Sequence, residues 1–387
     1  MISWDIIKTK ILSSNNEEIT IARLNLDNSI KSHNKLVHEY IPKISFKSQY
    51  IYKPEKQYIN HFDILFEDLF DLHKYISKKK AYIDIKIKKN IYKRTVSNTI
   101  YAARKIYIDL MYTYDSIELL EKIKKQMNTN MNILNLKYKS GLIDLIYLKK
   151  IEADILKTNY EINKLKRHIK TISKKLKNIT EEKSEEVYIP TEKLTGKELI
   201  HKSNYNDTDN VIIDSPEFVI AKNELKKTKL LKLKYKNRFI PKISVNYRIP
   251  LFNVEKYMLG VSAEYFILDG LKSLNERKIN TNNLKIAKNE LKKTIKSLHE
   301  KSTEYCTNII DAYDDIKINE NYLDILKLQS EISLKKYLNG VIDFDTWYKN
   351  EEEYFDYQIK NINVKKNFCL LIAEWENFIG TYYNENK

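Results

Sequence analysis

Glycine, proline and cysteine are all scarce in this chain of 387 residues, which contains 6 Gly, 6 Pro and 2 Cys. A chain of this length with average composition would hold roughly 27 Gly and 19 Pro. Phosphate-binding loops need clustered glycines, as in G-x-G-x-x-G or G-x-x-x-x-G-K, and no two of the six glycines have either spacing. The scarcity therefore argues against a Walker or Rossmann nucleotide site. Two cysteines exclude a disulfide scaffold and argue against a cysteine-based zinc site.

Long apolar runs are also lacking. The longest near the C-terminus is Phe368–Ala373, far short of the roughly 20 residues of a transmembrane helix. Residues 1–8 show no basic segment followed by an apolar one, so no secretory signal is visible. We therefore expect a cytosolic chain or a mature or trimmed form. The net charge of +16 is weak information about partners, because the richness in Lys, Ile, Asn and Tyr can reflect base composition.

Motifs of catalysis and metal binding are missing as well. The seven histidines form no H-x-x-x-H or H-E-x-x-H pattern, so we expect no metal site. Carboxylate groups such as Asp314–Asp315 and Glu351–Glu353 indicate solvated helix faces, because no pocket pattern accompanies them. Basic runs such as Lys78–Lys80 and Lys226–Lys227 lack the interleaved aromatics of a nucleic-acid reader. We predict no catalytic residue, no cofactor, no nucleic-acid partner and no enzymatic activity.

An internal repeat organises the chain. Ile41–Ser45 recurs letter for letter as Ile240–Ser244, and the pattern of Tyr138–Asp144 recurs in Tyr337–Asp343, both at a spacing of 199 residues. Matches at one common spacing indicate a tandem duplication. We predict a first structural repeat over 1–199, a connector over 177–210 that is rich in turn residues, and a second repeat over 211–387.

Each repeat begins with a helix and a pair of strands. The helices, about Glu18–Tyr40 and Pro216–Phe239, contain no internal Gly or Pro and end before a proline. Hydrophobicity then alternates with a period of two, which predicts β-hairpins over about 43–67 and 242–267. Turns are expected near Pro54 and Asn253. One predicted strand face comprises Ile243, Val245, Tyr247, Ile249 and Leu251.

A long helical hairpin follows in each repeat, over about 72–176 and 271–380, with its turn near Gly141 or Gly340. The first returning helix carries a heptad repeat of Leu148, Ile155, Ile162, Ile169 and Leu176, which is typical of coiled-coil packing. Cys306 and Cys369 lie on opposite arms of the second hairpin, equidistant from a point near its turn. We expect their Cα atoms to lie within about 20 Å of each other, and both thiols to be unbonded.

This duplicated order of elements resembles the TolC-like outer-membrane efflux proteins, the channels of tripartite efflux or type I secretion systems. The resemblance covers about Glu17 to Thr381. Four motifs carry it, and they are Ser215-Pro-Glu-Phe with Ile240-Pro-Lys-Ile, Tyr265–Gly270, Tyr337-x-x-Gly340 and Ala373–Gly380.

The fold class that the resemblance implies is mainly α with a small β part. Tandem-duplicated, long antiparallel helical hairpins would form an α-barrel in the periplasm. Two β-hairpins would contribute four strands from each chain to a twelve-stranded β-barrel of a homotrimer. Amphipathic strands with open edges require such closure in lipid.

Site residues follow from the same resemblance. A periplasmic adaptor protein would dock at the hairpin turns, at Ser140, Gly141, Leu142, Asn339, Gly340 and Val341. The candidates for the pore entrance are Tyr138, Asp144, Tyr337, Ile342, Asp343 and Asp345. The other implied partners are an inner-membrane RND or ABC transporter and outer-membrane lipid.

The gate residues of the family differ from those of this chain, and two other features allow more than one interpretation. Family members carry charged gate residues two, six and nine positions after the second-hairpin glycine, whereas this chain has Ile342, Thr346 and Lys349, so the family's gate chemistry does not carry over. The turn aspartates Asp144, Asp343 and Asp345 form either an acidic ring in a trimer or a set of solvated turn carboxylates. The tyrosines near strand ends suit either a membrane-interface girdle or a soluble sheet core, and these are Tyr50, Tyr52, Tyr58 and Tyr257.

The function predicted first is a passive trimeric outer-membrane duct. It would pass drugs or secreted proteins from an inner-membrane pump, through the periplasm, to the exterior. The alternative is a soluble coiled-coil scaffold without pore activity, which the missing signal favours and the duplicated strand hairpins oppose.

Overall fold

Helices account for most of the chain, and a four-stranded sheet interrupts them. The computed structural model describes residues 1–51, 57–66, 71–184, 186–193, 212–213, 215–236, 242–250, 258–264 and 272–384. The first half contains α1 (Trp4–Ser13), α2 (Glu17–His38), β1 (Lys43–Ile51), β2 (Gln57–Phe66), α3 (Leu72–Lys139) and α4 (Leu145–Thr180). The second half contains α5 (Pro216–Lys236), β3 (Lys242–Pro250), β4 (Met258–Glu264), α6 (Lys272–Leu338), α7 (Phe344–Ile379) and α8 (Thr381–Asn384).

The predicted order of a helix, two strands and a long helical hairpin occurs in both halves. Where residues are described, the strands and helices lie within a few residues of the positions expected from periodicity. The predicted hairpin turns near Pro54 and Asn253, the motif Tyr265–Gly270 and most of the connector after residue 193 lie outside the described residues.

Helix α1 is an element that the sequence patterns did not predict. The Ser3 hydroxyl accepts a hydrogen bond from the Ile6 amide and caps the helix, which buries Ile7 and Ile11 on one face. Just before α1, the Ile2 amide donates to the Ile189 carbonyl at 2.8 Å, and the Tyr107 hydroxyl donates to the Ile2 carbonyl at 3.2 Å. A stretch of ten residues is too short for its periodicity to stand out.

Two compact units make up the chain. The first unit comprises Met1–Ile19, Val96–Val211 and His299–Lys387, and the second comprises Thr20–Thr95 and Ile212–Leu298. Each unit therefore takes segments from both halves of the sequence. The first contains the two turns of the helical hairpins, and the second contains the sheet.

The sheet of the second unit is antiparallel, with the strand order β1-β2-β3-β4. Phe46 lies opposite Phe62, which in turn lies opposite Ile249, so the hydrophobic positions of the two halves fall into one register. Strands β2 and β3 join the two halves of the chain within one sheet.

In the first unit, α4 contacts α3 from Thr158 to Met127 and from Lys166 to Glu121, and four of the five predicted heptad residues are buried. Leu148, Ile162, Ile169 and Leu176 are buried on α4. On the second hairpin, Ile309 and Ile316 of α6 pack with Phe368 and Ile372 of α7. The antiparallel pairing expected of the hairpin arms is thereby confirmed.

Both cysteines are free, as predicted. Cys306 packs against the α6–α7 cluster that contains Phe368, the residue before Cys369. The two thiols therefore belong to one level of the second hairpin without forming a bond.

Candidate functional site

The turns of the two helical hairpins have the same backbone geometry. Gly141 and Gly340 follow the ends of α3 and α6 with φ values of +71° and +74°. The amide of the next residue reaches back to a carbonyl in the last helical turn, from Leu142 to Lys137 and from Val341 to Lys336, both at 2.9 Å. This is a Schellman cap, and it needs glycine because a left-handed backbone conformation is strained for other residues.

Beneath the turns, aliphatic side chains of the first hairpin and aromatic side chains of the second form one core. Its buried members are Leu134, Leu148, Ile151, Tyr337, Phe344, Trp347 and Tyr348. The ring of Tyr337 stacks on Trp347 with centroids 4.8 Å apart and planes 6° from parallel. Lys137 lies on the other hairpin, and its Nζ is 3.8 Å from the centroid of Tyr337. These contacts hold the two turns together as a single end of the first unit.

The six residues predicted for docking lie at this end of the unit, on the surface. Leu142 and Val341 expose 70% and 68% of their area, and Ser140, Gly141, Asn339 and Gly340 are exposed as well. A Cβ placed on Gly141 or Gly340 would meet no atom within 4 Å. The turns thus present two short apolar side chains beside open glycine positions.

The six residues proposed for the pore entrance divide into two groups. Tyr138, Asp144, Asp343 and Asp345 are exposed. Tyr337 is buried in the aromatic core, and Ile342 packs against that core. Sequence reasoning did not anticipate this burial, because Tyr337 matches the exposed Tyr138 at the repeat spacing.

The turn aspartates differ in what they contact. Asp343 caps α7 by accepting a hydrogen bond from the Thr346 amide at 2.9 Å, and bonds to Thr346 hold the pKa of its carboxyl below the usual range. Asp144 occupies the equivalent position before α4, but its side chain makes no cap hydrogen bond. The second hairpin therefore has the better-anchored returning helix.

Glu351 corrects the expectation that the Glu351–Glu353 run is solvated. It is 1% exposed and lies between three helices. Its carboxylate accepts hydrogen bonds from Gln126 Nε2 at 2.5 Å, from Asn130 Nδ2 at 3.2 Å and from the Ser330 hydroxyl. The sequence contains a faint signal for this site, because Glu351 follows the buried Trp347 at a spacing of four on one helix face.

The sheet of the second unit has one apolar face and one polar face. On the apolar face, Ile44, Phe46, Phe62, Leu259 and Val261 are all exposed, and Val261 exposes 70% of its area. A row of large exposed hydrophobic side chains marks a surface that contacts a membrane or another protein. Tyr50 also lies on this face and is exposed, whereas the side chains of Tyr52, Tyr58 and Tyr257 lie outside the described residues.

The polar face carries an ion-pair cluster around Asp63. Lys47 Nζ lies 2.8 Å from one carboxylate oxygen, and Arg248 Nε lies 2.9 Å from the other. The buried His61 approaches the same carboxylate at 3.4 Å. A cavity of about 430 Å³ opens beside this cluster, lined also by Lys43, Ser45, Asn246 and Gly260. The cluster links β1, β2 and β3.

Exposed apolar stripes occur on two helices of the first unit. On α6, Ile318, Ile325 and Ile332 repeat at a spacing of seven, and Tyr322 and Leu328 accompany them. On α4, the exposed side chains are Ile146, Leu156 and Tyr160. A heptad spacing on the surface is typical of a coiled-coil seam that packs against another helix.

The described part of the chain offers no group of three or more His, Cys, Asp or Glu residues that could hold a metal ion. Likewise, none of its helices is long and apolar enough to cross a membrane.

Comparison with known proteins identifies the fold. No family model matches the sequence, and no curated protein matches it. The outer membrane protein VceC from Vibrio cholerae superposes with a TM-score of 0.80 at 11% identity, covering 97% of this chain and 96% of that one. The Neisseria gonorrhoeae MtrE outer membrane channel, in its open state, gives a TM-score of 0.70 at 14% identity, covering 97% and 88%. The Campylobacter jejuni CmeC outer membrane channel gives 0.69 at 13% identity, covering 99% and 87%.

The chain therefore has the TolC-like fold of these outer-membrane channels. The motif order in the sequence predicted this fold, and the superpositions confirm it over nearly the whole chain.

Proposed function

We propose that this protein is one subunit of a homotrimeric channel of the outer membrane, with no enzymatic activity. The two halves would descend from one duplicated unit, and the duct would carry drugs or secreted proteins from an inner-membrane pump through the periplasm to the exterior. The observation that carries the proposal is the sheet with one exposed apolar face and one polar, charged face. Lipid would cover the first face and water the second.

Strand number supports a trimer. The described residues of one chain supply four strands, and β1 and β4 are the outermost strands of this sheet. Open edges are not tolerated in a bilayer, so several copies must close the sheet into a barrel. Three copies of a four-stranded sheet make the twelve-stranded barrel that the resemblance implies.

The stripes on α4 and α6 support the same assembly. They are unlike each other, so a contact between the stripe of one copy and that of the next would be heterologous, which is the type of contact that forms a ring when its rotation closes. The soluble scaffold considered from the sequence would also use such seams, but it gives no role to the exposed apolar face of the sheet.

For the docking site, we propose that a periplasmic adaptor protein contacts the two Schellman turns, and that an inner-membrane RND or ABC transporter works with it. The exposed Leu142 and Val341 would supply apolar contacts, and the glycines would allow close approach of the partner's backbone. The exposed Tyr138, Asp144, Asp343 and Asp345 would line the pore entrance, with Tyr337 and Ile342 supporting them from the core.

The assembly is tested by native mass measurement in detergent, followed by conductance recording in planar bilayers. We expect a trimer and discrete conductance steps. A monomer that stays soluble without detergent and gives no steps would contradict the channel and favour the scaffold.

Docking is tested with two substitutions at one position. Gly340→Ala and Gly340→Phe carry the same backbone strain of about 1–2 kcal/mol at a positive φ. Only the phenylalanine projects bulk into the open space before the turn. We expect Gly340→Phe to abolish export and adaptor cross-linking while trimers persist, and Gly340→Ala to retain both. Equal export by the two variants would refute docking at this turn.

A second pair of variants tests docking without altering the turn. Val341→Asp places a charge on the proposed contact surface, whereas Ile6→Asp places one on an exposed apolar position of α1. We expect export to fail only in the first.

A further inference from the structure

The polar face of the sheet presents exposed cations, and we propose that it favours anionic solutes in the barrel part of the channel, in contrast to the acidic side chains proposed for the pore entrance. The inference rests on the proposed function, because only in a closed barrel does this face line a pore. It goes beyond that function by naming the charge class of the solutes that pass.

The exposure of the cluster around Asp63 is unequal. The carboxylate side chain is only 15% exposed, whereas Lys47 is 60% and Arg248 is 48% exposed. The two cations therefore cover their shared acid. A solute that approaches this face meets ammonium and guanidinium groups, and the carboxylate lies beneath them.

The net charge of this face along the described strands is also positive. Lys47 and Arg248 share the single acid Asp63 on this face, so the cluster carries one positive charge in excess. Lys242 and Glu264 pair directly in register, and their charges offset each other. Each chain thus contributes an excess of positive charge to this face.

Closure of three copies would bring three such clusters around one lumen. Clefts lined by charge of one sign raise the local concentration of counter-ions, and low-dielectric walls strengthen the effect. The field reaches about 10 Å at 0.1 M salt and about 3 Å at 1 M, so selectivity should be strong at low salt and weak at high salt.

The test measures reversal potentials of the whole trimer in planar bilayers under a potassium chloride gradient. The wild type gives the reference chloride-to-potassium permeability ratio, to which the barrel cations and the entrance aspartates contribute with opposite sign. Lys47→Gln should lower the ratio roughly twofold, and the double variant Lys47→Gln with Arg248→Gln should lower it further. Lys47→Arg keeps the charge and is the matched control, with an unchanged ratio.

Asp63→Asn tests whether charge or structure causes the change in the permeability ratio. Removal of the covered acid should raise the chloride-to-potassium ratio, whereas Lys47→Gln should lower it. If the cluster had only a structural role, both substitutions would shift the ratio in the same direction. Native mass measurement confirms that each variant forms trimers before it is recorded.

The outcomes are distinct. A ratio that is the same in Lys47→Gln and Lys47→Arg would overturn the inference while leaving the channel proposal intact. Inserted trimers without conductance steps would overturn both. If Lys47→Gln prevents assembly, Arg248→Gln and Arg248→Lys give the same comparison, and an equal ratio in these two variants would overturn the inference.

Discussion

Glu351 provides the sharpest test of how the helices of the first unit are held together. Its carboxylate joins α7 to donors on α3 and α6, and two of these donors, Asn130 and Ser330, are themselves buried. Removing the acceptor would leave both without a partner in an environment that water does not reach. We therefore expect Glu351 substitutions to loosen α7 far more than surface substitutions would.

The magnitude follows from the number of bonds. A hydrogen bond to a charged group contributes about 1.5–3 kcal/mol, and a buried donor left unpaired costs about 1–3 kcal/mol. Glu351→Gln keeps the shape but loses the charge and turns an amide N–H toward donors, so we expect a cost of about 2 kcal/mol. Glu351→Ala leaves two buried donors unpaired as well as a cavity, and we expect about 4 kcal/mol.

Hydrogen exchange of backbone amides in α7 measures these costs as local opening. Because about 1.4 kcal/mol corresponds to a factor of ten, amides near Glu351 should exchange roughly 30-fold faster in Glu351→Gln and about 10³-fold faster in Glu351→Ala. The matched control is Glu353→Gln, an exposed position two residues along the same helix, which should change exchange very little.

Equal exchange in Glu351→Gln and Glu353→Gln would refute the reasoning. It would mean that packing alone, without the buried carboxylate, holds α7 against α3 and α6.

The other predictions concern the same unit. Because the pKa of Asp343 is lowered, its cap should be present at neutral pH and lost as the pH falls through that lowered value, so acid or Asp343→Ala should speed exchange in the first turn of α7. Asp144→Ala should have little effect at the start of α4, since that side chain makes no cap bond. Burial raises the pKa of Cys369 to about 11, so iodoacetamide at pH 8 should label it more slowly than Cys306, as read by mass spectrometry; faster labelling of Cys369 would contradict its burial. Trp347→Ala should cost about 3–5 kcal/mol. Trp347→Phe should cost less, since the indole nitrogen has no hydrogen-bond partner among the described residues. Exchange near the start of α7 ranks the two, and equal effects would argue against the stacked core.

Much of this fold could be predicted because its strands and turns follow from patterns among residues that are close in sequence. The alternation from Ile243 to Ile249 and the glycines at the hairpin turns depend only on neighbours along the chain. Each of these patterns also occurs twice, which makes chance agreement harder. The strands and the turns at Gly141 and Gly340 are accordingly confirmed.

The contacts between hairpins could not be predicted in this way. Glu351 and Glu353 look alike in sequence, and only the helices that surround Glu351 decide that it is buried. Tyr337 and Tyr138 hold equivalent positions in the repeat, yet one is buried and the other exposed. Repeated sequence predicts repeated backbone, but it does not predict which copy of a side chain faces inward.

The pairing of β2 with β3 has a consequence for how the chain folds in time. Asp63 and Arg248 form an ion pair across 185 positions of sequence. At synthesis rates of roughly 5–20 residues per second, the first hairpin would wait on the order of 10 to 40 s before its partner strand exists. During that interval β2 has an open edge and an exposed apolar face, which are the features that promote aggregation. Production of this protein should therefore depend on a factor that keeps the incomplete first half from aggregating with other chains until the second half has been synthesised.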